Sequence, residues 1–155
     1  MGNPSSIIRV LVVDDYEPFR RFVHIKLQPL PELQIVGEAS DGLQAVQKAE
    51  QLHPDLILLD IGLPTVNGIE AAHRISRLVP AAKILFVSQE SDADVVAAAL
   101  SNGAKGYLRK QSANSELLSA IAAVLRGDHF ISAELSRDEQ FHQLNGQSCN
   151  TAADL

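Results

Sequence analysis

The chain has a single cysteine, Cys149, a single methionine and no tryptophan. One thiol excludes an internal disulfide and a cysteine-rich zinc site, and in a polar stretch near the C-terminus it reads as a tolerated tail thiol. Long apolar runs are missing as well. Nothing approaches the roughly 20 residues needed to cross a bilayer. The polar start, Met1 to Ser6, has no basic region leading into a hydrophobic stretch, so no secretory signal is visible. Positive charge is scarce: 13 Lys and Arg stand against 19 Asp and Glu, for a net charge of −6. That balance argues against nucleic-acid binding by bulk electrostatics, which wants a basic patch. No glycine-rich phosphate loop of the Walker type occurs. The histidines (His24, His53, His73, His129 and His142) lie singly, without metal-ligand spacing. These absences point to the cytoplasm, with no membrane contact.

What remains is ordinary for a soluble domain: 155 residues, 46% apolar and 21% charged, enough for one core. The chain alternates strand-like and helix-like segments. Ile7 to Val13 is apolar and β-branched. Pro18 to Gln28 sets Phe19, Phe22, Val23 and Leu27 on one helical face, with Pro18 suited to a first turn. Leu33 to Ala39 reads as a second strand, and Asp41-Gly42 caps a helix carrying Leu43, Val46 and Ala49. Leu56 to Leu59 is continuously apolar, as a strand covered on both faces should be. Ile69, Ala72, Ile75 and Val79 recur at helical spacing. Lys83 to Val87, Asp92 to Ser101 and Gly106 to Leu108 give strand, alanine-rich helix and short strand. Ser112 is expected to cap a last helix with Leu117, Leu118, Ile121, Val124 and Leu125 as its stripe.

Five strand-then-helix units imply a parallel sheet with helices on both faces. Right-handed crossovers leave few arrangements, and the simplest is the flavodoxin-like (βα)5 three-layer α/β sandwich with strand order 2-1-3-4-5. The fold is expected to close near Arg126, giving one domain over 1–131. Residues 132–155 form a polar tail, expected to be frayed or partly helical.

Three apolar runs end in charge: Val12-Val13-Asp14-Asp15, Leu58-Leu59-Asp60 and Gly106-Tyr107-Leu108-Arg109-Lys110. In open α/β sheets the ligand site lies just outside the carboxyl ends of the strands. If these runs pair in parallel, three carboxylates and one ammonium converge there. Asp14-Asp15 alone could be a helix cap beside a solvated charge. With Asp60 alongside, however, each carboxylate pair at 4 Å costs about 4 kcal/mol at an effective dielectric near 20. A cation or an ammonium must therefore neutralise the cluster. Mg²⁺ fits, since it prefers oxygen ligands and keeps several waters. Asp60 opens the run Asp60-Ile61-Gly62-Leu63-Pro64-Thr65-Val66-Asn67-Gly68, in which Gly62 frees a backbone carbonyl to point into the site, while Pro64 and Asn67-Gly68 stiffen the loop. A carboxylate held so is a competent nucleophile toward phosphorus. Ser88 and Lys110, taken singly, read as a helix cap and a solvated side chain. Together they supply a hydroxyl and an ammonium for phosphoryl oxygens.

These motifs, with Phe86-Val87-Ser88 and Gly103-Ala104-Lys105 leading into Gly106, make the chain similar to the receiver domain of bacterial two-component response regulators, from about Ile8 to Ile131. The resemblance implies that Asp60 takes phosphate from the phosphohistidine of a histidine kinase or phosphotransfer protein. It implies that Asp14 or Asp15, with Asp60 and the Gly62 carbonyl, holds Mg²⁺ (or Mn²⁺). It makes Ser88 and Tyr107 switch residues and Lys110 the phosphate partner. Gln89 departs from the family, which usually has a small residue there, and a long amide at the rim is expected to tune phosphoryl access. The stretch Gly103 to Lys110 looks most like receivers that carry a LuxR-type helix-turn-helix, yet the 24 residues from Ser132 are too few for such a module plus a linker.

The expectation is therefore a phosphoacceptor signalling protein rather than an enzyme, beyond its own phosphorylation and dephosphorylation. It should switch a protein partner or a homodimer contact through the face holding Ala97, Ala98, Leu100, Lys105 and Arg109, with no direct DNA binding. One alternative is the receiver of a transcriptional regulator whose DNA-binding domain is missing from this chain. A Mg²⁺-dependent aspartyl-phosphate phosphatase of the haloacid-dehalogenase type would want an acid where Gly62 stands. A flavodoxin would want a Ser/Thr/Gly-rich loop where Asp14-Asp15-Tyr16-Glu17 is acidic.

Overall fold

The computed structural model describes residues 6–132 and Leu135. Strand and helix alternate from β1 (Ile8–Val13) and α1 (Glu17–Leu27) through β2 (Leu33–Ala39), α2 (Gly42–Leu52), β3 (Leu56–Leu59) and α3 (Gly68–Leu78). They continue through β4 (Lys83–Ser88), α4 (Ala93–Ser101), β5 (Gly106–Arg109), α5 (Ala113–Leu125) and β6 (Phe130–Ile131). All neighbouring strands pair in parallel, in the order β2-β1-β3-β4-β5-β6. This is the doubly wound α/β sandwich expected from the alternation, with the predicted order 2-1-3-4-5 extended by one strand.

Period-two alternation splits the strands between two cores. Leu11, Val13, Ile57, Leu59, Ile84, Phe86 and Tyr107 face α2, α3 and α4, where they meet mostly alanines such as Ala45, Ala49, Ala71, Ala72 and Ala99. Val10, Val12, Leu56, Leu58, Leu85, Val87 and Leu108 face α1 and α5, where they meet Val23, Leu27, Leu117, Ile121 and Val124. The crossovers bring the carboxyl ends of β1, β3, β4 and β5 side by side, and the site lies along that edge.

Three local features differ from expectation. Tyr16, not an Asp, is the N-cap of α1, with no side-chain cap bond. Ser112 makes no side-chain cap to α5, because a 3-10 turn over Lys110–Ser112 leads the chain into that helix. Packing also continues past Arg126. Gly127, at φ 94°, turns the chain out of α5, a conformation costly for residues with a Cβ. The chain then lays β6 along the open side of β5. A two-residue strand offers no alternation to read, so its sequence gave no signal. Ser132 and Leu135 are buried beyond it. The rest of the tail over 132–155 lies outside the described residues.

Candidate functional site

Asp14 and Asp60 are each fixed by backbone bonds at a strand end. Asp14 leaves β1 with its amide donating to Ala39 O at 3.0 Å. Its Oδ1 accepts the Tyr16 N–H at 2.8 Å, which ties the carboxylate to the turn entering α1. Asp60 leaves β3 with its amide on Val13 O at 3.1 Å, and its Oδ1 accepts the Ile61 N–H at 2.7 Å. Gly68 lets α3 start against this strand end: a Cβ there would stand 1.9 Å from Asp60 O. The loop between them makes a tight turn at Thr65, φ 70°, with Val66 N–H on Pro64 O at 2.8 Å.

Lys110 follows β5 and reaches across the edge. Its Nζ lies 2.7 Å from Asp14 Oδ2 and 3.2 Å from Asp60 Oδ2, and 4.8 Å from the centroid of the Phe19 ring, a cation–π contact. Burial alone would lower the lysine's proton affinity. The bond to Asp14 and the charges of Asp60 and Asp14 outweigh it, so the pKa is raised and the ammonium stays charged. Asp14 is pushed up from its ordinary value because burial outweighs Lys110 and the Tyr16 amide, with the Asp60 charge adding to the rise.

Carboxylate oxygens of Asp14, Asp15 and Asp60 lie within 4.8 Å of one another. Asp14 Oδ2 is buried and, apart from its ion pair with Lys110, has no aligned hydrogen bond. One ammonium against three carboxylates leaves net negative charge. An all-oxygen donor set with a spare buried lone pair fits a hard divalent cation.

The cleft is about 510 Å³ and is lined by Asp15, Tyr16, Asp60, Ile61, Gly62, Ser88, Gln89, Glu90 and Lys110. The structure thus brings together Asp14, Asp15, Asp60, Gly62, Ser88 and Lys110, with Gln89 exposed at the rim. Gly62 is not at positive φ, and a Cβ there would meet nothing within 4 Å; glycine is not sterically demanded. Tyr107 does not line the cleft. It is fully buried in the adjoining core, its hydroxyl donating to Glu90 O at 2.7 Å, while Ser88 Oγ accepts the Glu90 N–H at 3.2 Å. Burial raises the phenol's pKa, with the Ser88 hydrogen bond opposing. The two hydroxyls therefore grip one segment, the turn at Glu90.

Arg20 carries no mark in the sequence. Its guanidinium donates to Asp14 O at 2.6 Å and Glu38 Oε1 at 2.7 Å. Glu38 also meets His24, and these partners outweigh its burial and lower its pKa. An arginine in the first turns of an amphipathic helix looks like any solvated residue; only the fold turns it back to β1.

Residues 10–122 match the model of the response regulator receiver domain. The chain belongs to that family. It is 34% identical over 131 residues to the transcriptional regulatory protein DegU of Brevibacillus brevis, covering 84% of this chain and 56% of that protein. It is 32% identical to the response regulator GacA of Pseudomonas viridiflava, covering 96% and 70%. In three dimensions it is similar to a LuxR-family two-component response regulator from Aurantimonas sp. SI85-9A1, with a TM-score of 0.83, 29% identity, and coverage of 90% and 99%. Receiver domains are signalling modules, not metabolic enzymes. Among the described residues no helix is long and apolar enough to cross a membrane.

Proposed function

We propose that this receiver takes a phosphoryl group onto Asp60 from the phosphohistidine of a histidine kinase or phosphotransfer protein in the cytoplasm. The observation that carries the reading is the position of Asp60 Oδ2, 3.2 Å from the Lys110 ammonium and inside a three-carboxylate cleft. In the transfer a carboxylate oxygen of Asp60 bonds to phosphorus as the donor's N–P bond breaks, leaving an acyl phosphate and a free imidazole. Mg²⁺ (or Mn²⁺) on Asp14, Asp15, Asp60 and the Gly62 carbonyl would neutralise the incoming oxygens. Lys110 pairs with one phosphoryl oxygen and Ser88 donates to another; the rest is positioning. Gln89 at the rim sets access for the donor.

Once Ser88 turns toward phosphate, its grip on the Glu90 turn weakens and Tyr107 is free to follow. The surface of α4, β5 and α5, with Ala97, Ala98, Leu100, Lys105 and Arg109, then changes its affinity for a protein partner or a second copy. The energy available is the difference in phosphate affinity between the two states.

The relatives' names favour a second reading of the output. The chain spans 56% of the DegU relative's length, and that protein is named a transcriptional regulator. In this reading the receiver controls transcription through a DNA-binding part outside these 155 residues. The phosphatase reading fares worse, because the position two residues beyond Asp60, where such an enzyme wants a second acid, is Gly62.

Incubation with Mg²⁺ and acetyl phosphate, read by intact mass, tests the acceptor. Wild type gains one phosphoryl group and Asp60→Asn gains none; equal labelling of the two removes Asp60 from the role.

A further inference from the structure

Among the described residues the buried polar side chains are Asp14, Asp60, Ser88 and Ser132. The first three belong to the cleft. Ser132 lies just beyond β6, is 0% exposed, and has no part in the chemistry above. Its burial is fully compensated. Its hydroxyl accepts the Arg109 N–H at 2.9 Å and donates to Glu116 Oε1 at 3.0 Å. Its own amide donates to Tyr107 O at 3.0 Å.

The segment around it is built in. A Cβ on Gly106 would stand 2.8 Å from Phe130 O, so β5 omits a side chain where β6 pairs with it. Leu135 donates its N–H to Ser132 O at 3.0 Å and is 3% exposed in the core that also holds Tyr107.

Two routes run from the cleft to this serine. One goes from Asp60 to Lys110 at 3.2 Å, and through a single peptide to the Arg109 amide that Ser132 holds. The other goes from Ser88 to Glu90, from Glu90 to the Tyr107 hydroxyl, and from the Tyr107 carbonyl to the Ser132 amide. Both routes end on β5, and β6 is tied to β5 by the residue on which they meet.

Resting on the phosphoacceptor reading, we propose that Ser132 is a positioning residue that couples Asp60 occupancy to β6. It holds β5 in the register that seats Lys110 and Tyr107, and it passes displacement of β5 to the chain that follows β6. Coupling of this kind is reciprocal: whatever phosphate does to β6, loosening β6 must do to phosphate affinity.

The probe is beryllofluoride with Mg²⁺, read on the full chain by amide NMR and hydrogen exchange. In wild type, the Asp60 and Lys110 amides shift and exchange at Arg109 and Ser132 changes by at least about fivefold, the lower end of ordinary site-to-site coupling. Ser132→Ala lowers beryllofluoride affinity by a similar factor while leaving the affinity for Mg²⁺ alone within about twofold, since no metal candidate touches Ser132. Ser132→Thr, which keeps the hydroxyl, restores it. No shift at Asp60 and Lys110 overturns the proposed function and this coupling with it. A shift there with unchanged exchange at Arg109 and Ser132 overturns the coupling alone, and needs no variant. Wild-type beryllofluoride affinity in Ser132→Ala also overturns it.

Discussion

The carboxyl ends of β1 and β3 and those of β4 and β5 face the same cleft with opposite chemistry. On the first side stand the carboxylates of Asp14 and Asp60, pinned by backbone amides and by a lysine reaching across, with the exposed Asp15 beside them. On the second, Ser88 lines the cleft and Tyr107 lies buried behind it, two neutral hydroxyls bonded to the backbone of Glu90. Removing one partner of a buried ion pair costs about 3–5 kcal/mol, so these charges are held in place together. A neutral hydrogen bond is worth about 1 kcal/mol and can be exchanged. The charged side suits holding a reacting group still, and the neutral side suits changing shape when it arrives.

The sharpest way to break this contrast is Lys110→Ala. It leaves Asp14 and Asp60 facing each other without their shared cation, and the expected cost is about 3 kcal/mol. Urea denaturation in EDTA measures it. Adding Mg²⁺ recovers part of the loss if a cation can take over the neutralisation.

A pH series isolates Asp14. Its folded-state pKa is raised, so the folded protein binds more protons than the unfolded one above 3.8. Stability contributed by this group therefore falls as pH climbs from 3.8 through its folded value. Denaturation in EDTA should show that decline in wild type and a shallower one in Asp14→Asn. Parallel pH curves for the two proteins would show that burial does not govern this carboxyl.

On the neutral side, Tyr107→Phe removes one O–H donor from Glu90 O, at an expected cost of about 1 kcal/mol. It should leave acetyl-phosphate labelling of Asp60 intact while blunting the beryllofluoride-induced shifts in α4. A labelling defect as large as that of Lys110→Ala would erase the distinction between the two sides. Gln89→Ala is the gentlest probe. A rim change costs under about 0.5 kcal/mol but should alter the labelling rate with small donors; identical rates would show that the amide points away from the entrance.

The sequence made legible whatever a short run of residues encodes by itself. Leu56 to Leu59 reads as a buried strand because it is uniformly apolar, and Asp60 and Lys110 stand out because each ends such a run. The convergence of Asp14, Asp60 and Lys110 then follows from parallel order alone. What escaped notice depends on contacts distant in sequence. Phe130–Ile131 is too short for periodicity, and its place beside β5 is set by the bare backbone of Gly106. Ser132 looked like the start of a polar tail, and only packing reveals its burial. Arg20 has no local mark of its bond to Asp14 O. The Ser112 cap failed because the turn over Lys110–Ser112 already directs the chain into α5.

The loop from Asp60 to Gly68 contains two glycines with contrary consequences for substitution. At Gly68 a methyl group would overlap the carbonyl of the proposed acceptor itself, whereas at Gly62 it would meet open space. In a library randomised across this loop and selected only for folding, position 68 should return glycine almost alone and position 62 a broad alphabet. If the survivors are then selected for phosphoryl uptake, any narrowing at 62 would measure what the chemistry asks of that position, separately from what the architecture asks. The molecule thus carries, six residues apart, a control and a test for telling those two demands apart.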